Sequence, residues 1–284
     1  MQADRGDPWL QFANPLQPMR SILRHRELLW QLARREIVGR YRGSYLGILW
    51  ALITPLMTLG VFTLVFGAIH GNIWPGSARP GVLDFAVNIF IGIVIYGVFS
   101  DCTGRASGLV SNNPNFVKKA VFPLELLAIS DVTAAVAHSL LAMVIELLAV
   151  LLATGHLPAT ALLLPLLYVP VILFTVGICW LLAALGVFFR DLQNAVGPAV
   201  QLLFFLTPIV YPMAAVATKY PQAGRALRMF NPFVVIVESA RLLLIAGQAP
   251  DWWALAGVTG GSAVVAAVGY IFFMKLRRYF ADAL

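Results

Sequence analysis

Between Leu147 and Phe189 lie 43 residues without an Asp, Glu, Lys or Arg. A single helix of that length would be far longer than the roughly 20 residues that cross the ~30 Å hydrocarbon core of a bilayer. The run must therefore divide. Thr154-Gly155-His156-Leu157-Pro158 supplies the break, because glycine and proline end helices. The division predicts two membrane-crossing helices, at about 126–153 and 162–189. Composition agrees. The chain has 284 residues, 60% hydrophobic and 12% charged, where a soluble domain carries roughly 25% charged residues. Mean hydropathy is +0.83. This is the profile of an integral membrane protein.

Four further uncharged stretches predict four further spans. Leu46 to Ile69 is 24 residues and Trp252 to Met274 is 23, giving spans at about 46–69 and 252–274. Phe85 to Ser100 is only 16, so the span at about 84–104 brings Asp84, Asp101 or Arg105 near its edges. The span at about 194–213 closes on TPIVYP (207–212). Residues 214–251 are apolar but too broken and too charged to cross. Two short re-entrant or interfacial helices fit them best, together covering about 216–246, with Glu238 and Arg241 as an i,i+3 pair. Small-xxx-small spacing at Gly257 and Gly261 is a weak packing signal.

The ends read differently. Residues 1–20 form a loose tail. Residues 22–40 are amphipathic, with Ile22, Leu29, Leu32 and Ala33 opposite Arg24, Arg26, Arg34 and Arg35, and predict a helix lying in the membrane interface. The two cysteines, Cys102 and Cys179, make neither a disulfide framework nor a metal-spaced cluster.

Charge sets the orientation. With six spans both termini share one side. That side holds fifteen Lys and Arg residues: eight in 1–45, three in 105–125, Arg190, and three in 275–278. The other holds five: Arg79, Lys219, Arg225, Arg228 and Arg241. The positive-inside rule puts both termini in the cytoplasm. The net charge of +7 is accounted for by these loops. Nucleic-acid binding needs a basic patch on a polar domain, and none is encoded.

Catalytic motifs are missing. There is no G-x-x-x-x-G-K-[ST], no H-E-x-x-H and no nucleophile elbow. The third span carries Asp131, His138 and Glu146 within one broad helical face. Two readings stay open. Either Asp131 and Glu146 sit near the two membrane edges with His138 satisfied between them, or the three form a proton relay in an ion-coupled secondary transporter. Gln201, Phe204, Pro208 and Tyr211 fall along one face of the fifth span, and with aromatic positions of the first span such as Phe62 and Phe66 they suit either helix packing or a sugar. In the polar island 105–125, Asn112-Asn113-Pro114 makes a turn. A short helix bearing Lys118 and Lys119 follows, of the kind that docks a soluble partner.

Five stretches, RREIVGRYRGSYLGILWALITPL (34–56), NPNFVKKAVFPLE (113–125), FFRDL (188–192), TPIVYP (207–212) and NPFVVIVESARLLL (231–244), resemble in order the membrane subunit of type-2 ABC exporters. Within that family they are most similar to the branch that moves O-antigen, capsular polysaccharide or teichoic acid. The resemblance implies a half-transporter in the bacterial inner membrane. It pairs with a second copy and with two ATPase subunits, which carry the ATP and Mg sites; no cofactor is expected in this chain. It implies a coupling helix at 113–121, with Asn115, Phe116, Lys118, Lys119, Phe122 and Pro123 facing the ATPase. It implies a cytoplasmic gate for the lipid phosphate at Arg34, Arg35, Arg40 and Arg42. It implies a glycan channel past Phe62, Phe66, Phe204 and Tyr211, on the first and fifth spans. An exporter of drugs or small lipids is the alternative within the family.

Overall fold

The computed structural model describes residues 17–39, 45–65, 74, 82–117 and 122–283, and every regular element among them is helical. The chain enters through α1 (Gln17–Arg24) and α2 (Arg26–Gly39). The sequence predicts one helix here. The break is at His25, whose Nδ1 lies 3.1 Å from the Ser21 carbonyl. Helical structure begins at Gln17, inside the stretch expected as tail. α2 packs against the later helix α6 through buried Leu32 and Ala33 and leaves Trp30 and Val38 exposed.

α3 (Trp50–Phe62) continues as a π-type turn to residue 65, where the described residues stop. The remainder of the predicted first span, with Phe66, lies outside them. α4 (Val82–Ala106) is followed by the four-residue α5 (Pro114–Val117) and then by α6 (Glu125–Thr154). The predicted break in the long uncharged run is where α6 ends. Gly155 takes the left-handed conformation at φ 80°, its N–H reaching the Leu151 carbonyl at 2.8 Å. Only glycine does this without strain, which is why it terminates so many helices. A 3₁₀ turn at Ala159–Leu163 leads into α7 (Leu164–Phe188).

α8 (Leu192–Leu206) stops before TPIVYP, so residues 207–212 leave the helix predicted to carry them. Three short helices follow: α9 (Met213–Lys219), α10 (Pro221–Phe230) and α11 (Pro232–Arg241), the last extended by a π turn at Leu242–Ala246. The axis bends by 98° between α10 and the α11 unit. Asn231 makes that corner. Its backbone is extended, and its Oδ1 accepts from the Phe233 N–H at 3.0 Å, capping α11. α12 (Trp252–Arg277) is capped by Asp251, which accepts from the N–H groups of Trp253 and Ala254, and α13 (Phe280–Ala283) closes the chain.

Among the described residues, four helices are long and apolar enough to cross a membrane: Leu83–Ala106, Glu125–Thr154, Ala159–Phe188 and Trp252–Arg277. α4 is the central one, buried almost continuously from Asp84 to Phe99. It contacts α3, α6, α7 and α8. Ser139 on α6 stitches the centre by donating to the Val94 carbonyl at 3.1 Å and sharing a 2.7 Å hydrogen bond with Tyr168 of α7. α12 runs along α7, where Gly177 meets Gly269. A Cβ on Gly269 would overlap the Gly177 carbonyl, so this is where the backbones touch. Gly257 and Gly261, the sequence's small-xxx-small pair, have nothing within 4 Å of an added Cβ. The outer helices α3 and α8 expose Leu56, Met57, Val61, Leu202 and Phe205. Such apolar exposure is the normal lining of a membrane protein where lipid or another subunit covers it. The protein is an all-helical membrane protein.

Candidate functional site

Two polar clusters stand at opposite ends of the bundle. The first gathers the basic edge of the sequence. Arg35 of α2 lies over the Phe116 ring of α5, 5.4 Å from its centroid. Phe116 stacks on Phe122 at 4.4 Å and 15°. The Phe122 carbonyl accepts from Arg277 Nη2 at 2.8 Å, and Arg277 Nη1 donates to Glu125 at 3.0 Å. The other Glu125 oxygen accepts from Ser21 of α1 at 2.9 Å, and its carbonyl from Trp180 of α7 at 3.0 Å. Through Glu125 and Arg277, α1, the turn at Phe122 and the last long helix are joined. Residues from two separately inferred groups, Arg35 on one side and Phe116 and Phe122 on the other, are in contact. Asn115 is exposed and Pro123 buried, while Arg34 is exposed on α2. Lys118, Lys119, Arg40 and Arg42 lie outside the described residues.

Nearby, Arg105 at the end of α4 pairs with Asp131 of α6 at 2.8 Å and with Asp101 at 3.3 Å. The Asp131 pair explains one of the three ionisable residues on that helix. His138 instead lines a cleft of about 290 Å³ between α3, α4 and α6, alongside Trp50, Thr54, Thr58 and Asp101. Glu146 is completely buried, and neither carboxyl oxygen has a hydrogen bond among the described residues. The three therefore occupy three different environments along α6.

The second cluster centres on Arg241, which is 6% exposed. Its Nε and Nη2 donate to the Asn88 carbonyl at 3.1 and 2.9 Å. Nη1 donates to the Pro208 carbonyl at 2.7 Å and to Glu238 at 2.9 Å, and Nη2 to the Ile209 carbonyl at 2.8 Å. Its guanidinium also stacks 4.4 Å from the Trp74 ring, whose backbone N–H is held by Asp84 at 2.9 Å. Asn231 adds a second tie by donating to Thr207 Oγ1 at 2.9 Å. TPIVYP and NPFVVIVESAR, two separate motifs in the sequence, form one lock. Glu238 and Arg241 do pair, as their spacing suggests. What spacing could not show is that most of Arg241's partners are backbone carbonyls 32 to 153 positions away.

The aromatic positions divide. Phe204 is half-buried against Tyr96 of α4, ring centroids 5.7 Å apart, and Tyr96 donates to the Val200 carbonyl at 2.6 Å. Phe62 is half-buried on α3. α3 and α8 each pack against α4, so Phe62 and Phe204 project from separate helices of one support. Tyr211, off the end of α8, donates to the Phe205 carbonyl at 3.2 Å. Gln201, Phe204, Pro208 and Tyr211 were expected along one helical face. The end of α8 at Leu206 leaves the last two off it, with Pro208 buried beneath Arg241.

Residues 27–245 match the ABC-2 type transporter family. Over 268 residues the chain is 28% identical to the O-antigen export system permease protein RfbA of Myxococcus xanthus, covering 94% of this chain and 98% of that one. It is 24% identical to RfbA of Klebsiella pneumoniae, covering 91% and 95%. It is 26% identical to the polysialic acid transport protein KpsM of Escherichia coli, covering 75% and 79%. With its all-helical bundle and a family match spanning most of its length, the chain belongs to the ABC-2 type transporters.

Proposed function

We propose that this protein is the membrane subunit of an ATP-driven exporter that carries a lipid-linked polysaccharide across the bacterial inner membrane. The observation that carries this reading is end-to-end similarity to an O-antigen export permease, covering 94% of this chain and 98% of that relative. KpsM, whose name specifies another polysaccharide, extends the same substrate class.

On this reading residues 21–284 form one transmembrane domain of six spans. α3 and α8 are its two shorter spans, the bent α10–α11 unit is re-entrant from the periplasmic side, and both termini are cytoplasmic. Two copies pair, and each docks an ATPase subunit that binds ATP and Mg. The segment 113–121 is the coupling helix, and Asn115, Phe116, Lys118, Lys119, Phe122 and Pro123 carry the stroke. The contact of Arg35 with Phe116 supports a joint movement of α2 and that segment. Arg34, Arg35, Arg40 and Arg42 hold the lipid phosphate through charge-assisted hydrogen bonds. Phe62, Phe66, Phe204 and Tyr211 face the glycan.

The test is co-expression with candidate P-loop ATPase subunits from the same genome, beginning with any encoded beside this gene. The reading expects one of them to co-purify with this chain, and expects changing Lys118 and Lys119 to Ala to abolish surface polysaccharide while leaving membrane insertion intact. Export driven by a protonophore-sensitive gradient in the absence of ATP would overturn it. Arg40→Lys with Arg42→Lys keeps the orienting charge but removes bidentate phosphate recognition. Unimpaired export by that double variant would leave those arginines with a topological role alone.

A further inference from the structure

A cleft of about 480 Å³ opens at the basic end, between α2, the end of α4, the turn before α5, α6 and the first turn of α8. It lies beside the coupling contacts but shares none of them. Its wall carries four carboxamides, Asn112, Asn113, Gln193 and Asn194, with the Arg105–Asp131 pair among them. Gly108 is what lets two of these converge. A Cβ there would stand 2.7 Å from Asn112 Nδ2 and 3.5 Å from Gln193 Nε2.

Charge and hydrogen-bonding capacity choose the ligand class. Arg105 is already shared between Asp131 and Asp101. Glu36, which also lines the cleft, is offset by Arg35 at 2.9 Å. One guanidinium therefore faces two carboxylates, and a phosphate would meet net repulsion. A carboxamide brings two donors and an oxygen with two acceptor lone pairs without charge, and a hydroxyl offers one donor and two acceptor lone pairs. Four carboxamides at one opening match a neutral, polyhydroxylated ligand. Among the described residues no aromatic ring lines the cleft to add stacking. Hydrogen bonds alone give a weak hold, which suits a ligand that must move on.

We propose that this cleft binds an uncharged sugar unit of the glycan at the cytoplasmic face, at a site separate from the arginines that would hold the phosphate. The inference rests on the polysaccharide reading above. A sugar seated here bridges the turn that opens the coupling segment and the turn that opens α8. Occupancy is thereby linked to the coupling segment and to α8.

The experiment uses the complete transporter in inside-out vesicles. The partner ATPase carries an inactivated P-loop, so that glycan stays on the cytoplasmic side. Gln193→Cys and Asn112→Cys are labelled in turn with a membrane-impermeant maleimide. Native Cys102 and Cys179 are buried, and Tyr279→Cys, outside the cleft, reports general access. Vesicles come from cells that make the glycan and from cells lacking its first glycosyltransferase. Several-fold slower labelling of both cleft cysteines in the glycan-containing vesicles is expected, with Tyr279→Cys unchanged. Equal rates in the two preparations overturn the proposal. Protection by inorganic pyrophosphate in glycan-free vesicles also overturns it, because the cleft would then belong to the phosphate. Spontaneous disulfide formation between two Gln193→Cys copies overturns it too, by making the cleft a subunit contact. Surface polysaccharide made by the wild-type transporter is scored separately. If that is absent, the transport reading itself falls; if it is present and protection fails, only the cleft assignment falls.

Discussion

The guanidinium of Arg35 lies 5.4 Å from the centroid of Phe116, and Phe116 in turn stacks on Phe122 at 4.4 Å. The contact joins a helix expected at the membrane surface to a segment expected to grip a soluble partner. Its strength is modest, because Arg35 is half-exposed and an exposed cation–π pair is worth ~0.5–1 kcal/mol. Its consequence is mechanical. Phe116→Ala is expected to leave the thermal midpoint of the purified protein almost unchanged while lowering the ATPase activity of the assembled complex. Arg35→Lys should do the same more weakly. Equal loss of stability and activity would mean that the contact only holds the fold.

Arg241 is a different case. It is buried, and it satisfies the carbonyls of Asn88, Pro208 and Ile209 together with Glu238. Replacing it by Met leaves these acceptors without their donor, and breaking a buried charged network in this way costs ~3–5 kcal/mol. Lys restores the charge but is a point donor that cannot span the fork of four acceptors, so Arg241→Lys should recover only part. Glu238→Gln should cost less than ~1 kcal/mol, since its carboxylate is about a third exposed. Thermal unfolding in detergent, with tryptophan emission as the signal, ranks the three.

Glycines give a contrast within single helices. A Cβ at Gly186 would overlap the Ser107 carbonyl, and one at Gly269 the Gly177 carbonyl. In both cases the obstacle is backbone, which cannot swing aside. Gly186→Ala and Gly269→Ala are expected to destabilise by ~1–3 kcal/mol or more through overpacking. Gly257→Ala on the same α12 helix meets open space and should be neutral or slightly stabilising, because Ala is the better helix former by ~1 kcal/mol. Matched expression and melting measurements would expose a reversal.

These cases show where the sequence was legible. Long uncharged runs report a bulk property, the solvent around a helix, so the four long helices and the break at Gly155 could be read directly. The short helix that follows Asn113 was visible because its turn residues are local. Arg241 was half-visible: its i,i+3 partner lies on its own helix, but the Asn88 and Pro208 carbonyls come from α4 and from the turn after α8 and carry no side-chain signature. The Gly177–Gly269 contact was hidden for the same reason. A small residue shows that a close approach is allowed, and only the packing shows which glycine makes it. Tyr211 was misplaced on a helical face because an apolar run does not announce that α8 stops at Leu206.

Glu146 offers the last test. It is completely buried in α6, and among the described residues both carboxyl oxygens lack hydrogen bonds. A buried polar group without partners costs ~1–3 kcal/mol relative to a satisfied one, whereas an apolar group of the same shape can be neutral or stabilising. If Glu146 has no part in export, Glu146→Met, which keeps length and volume, should raise the thermal midpoint and leave surface polysaccharide intact. Glu146→Gln keeps the polar burden and should leave both the midpoint and export unchanged. A carboxyl retained for function behaves otherwise: Met would stabilise the protein while export falls, and Gln would lose export as well. The two outcomes separate on a single pair of measurements, melting temperature and surface polysaccharide. A fall in stability for Met would show that the carboxyl is satisfied in the working transporter, by a second copy or by a ligand.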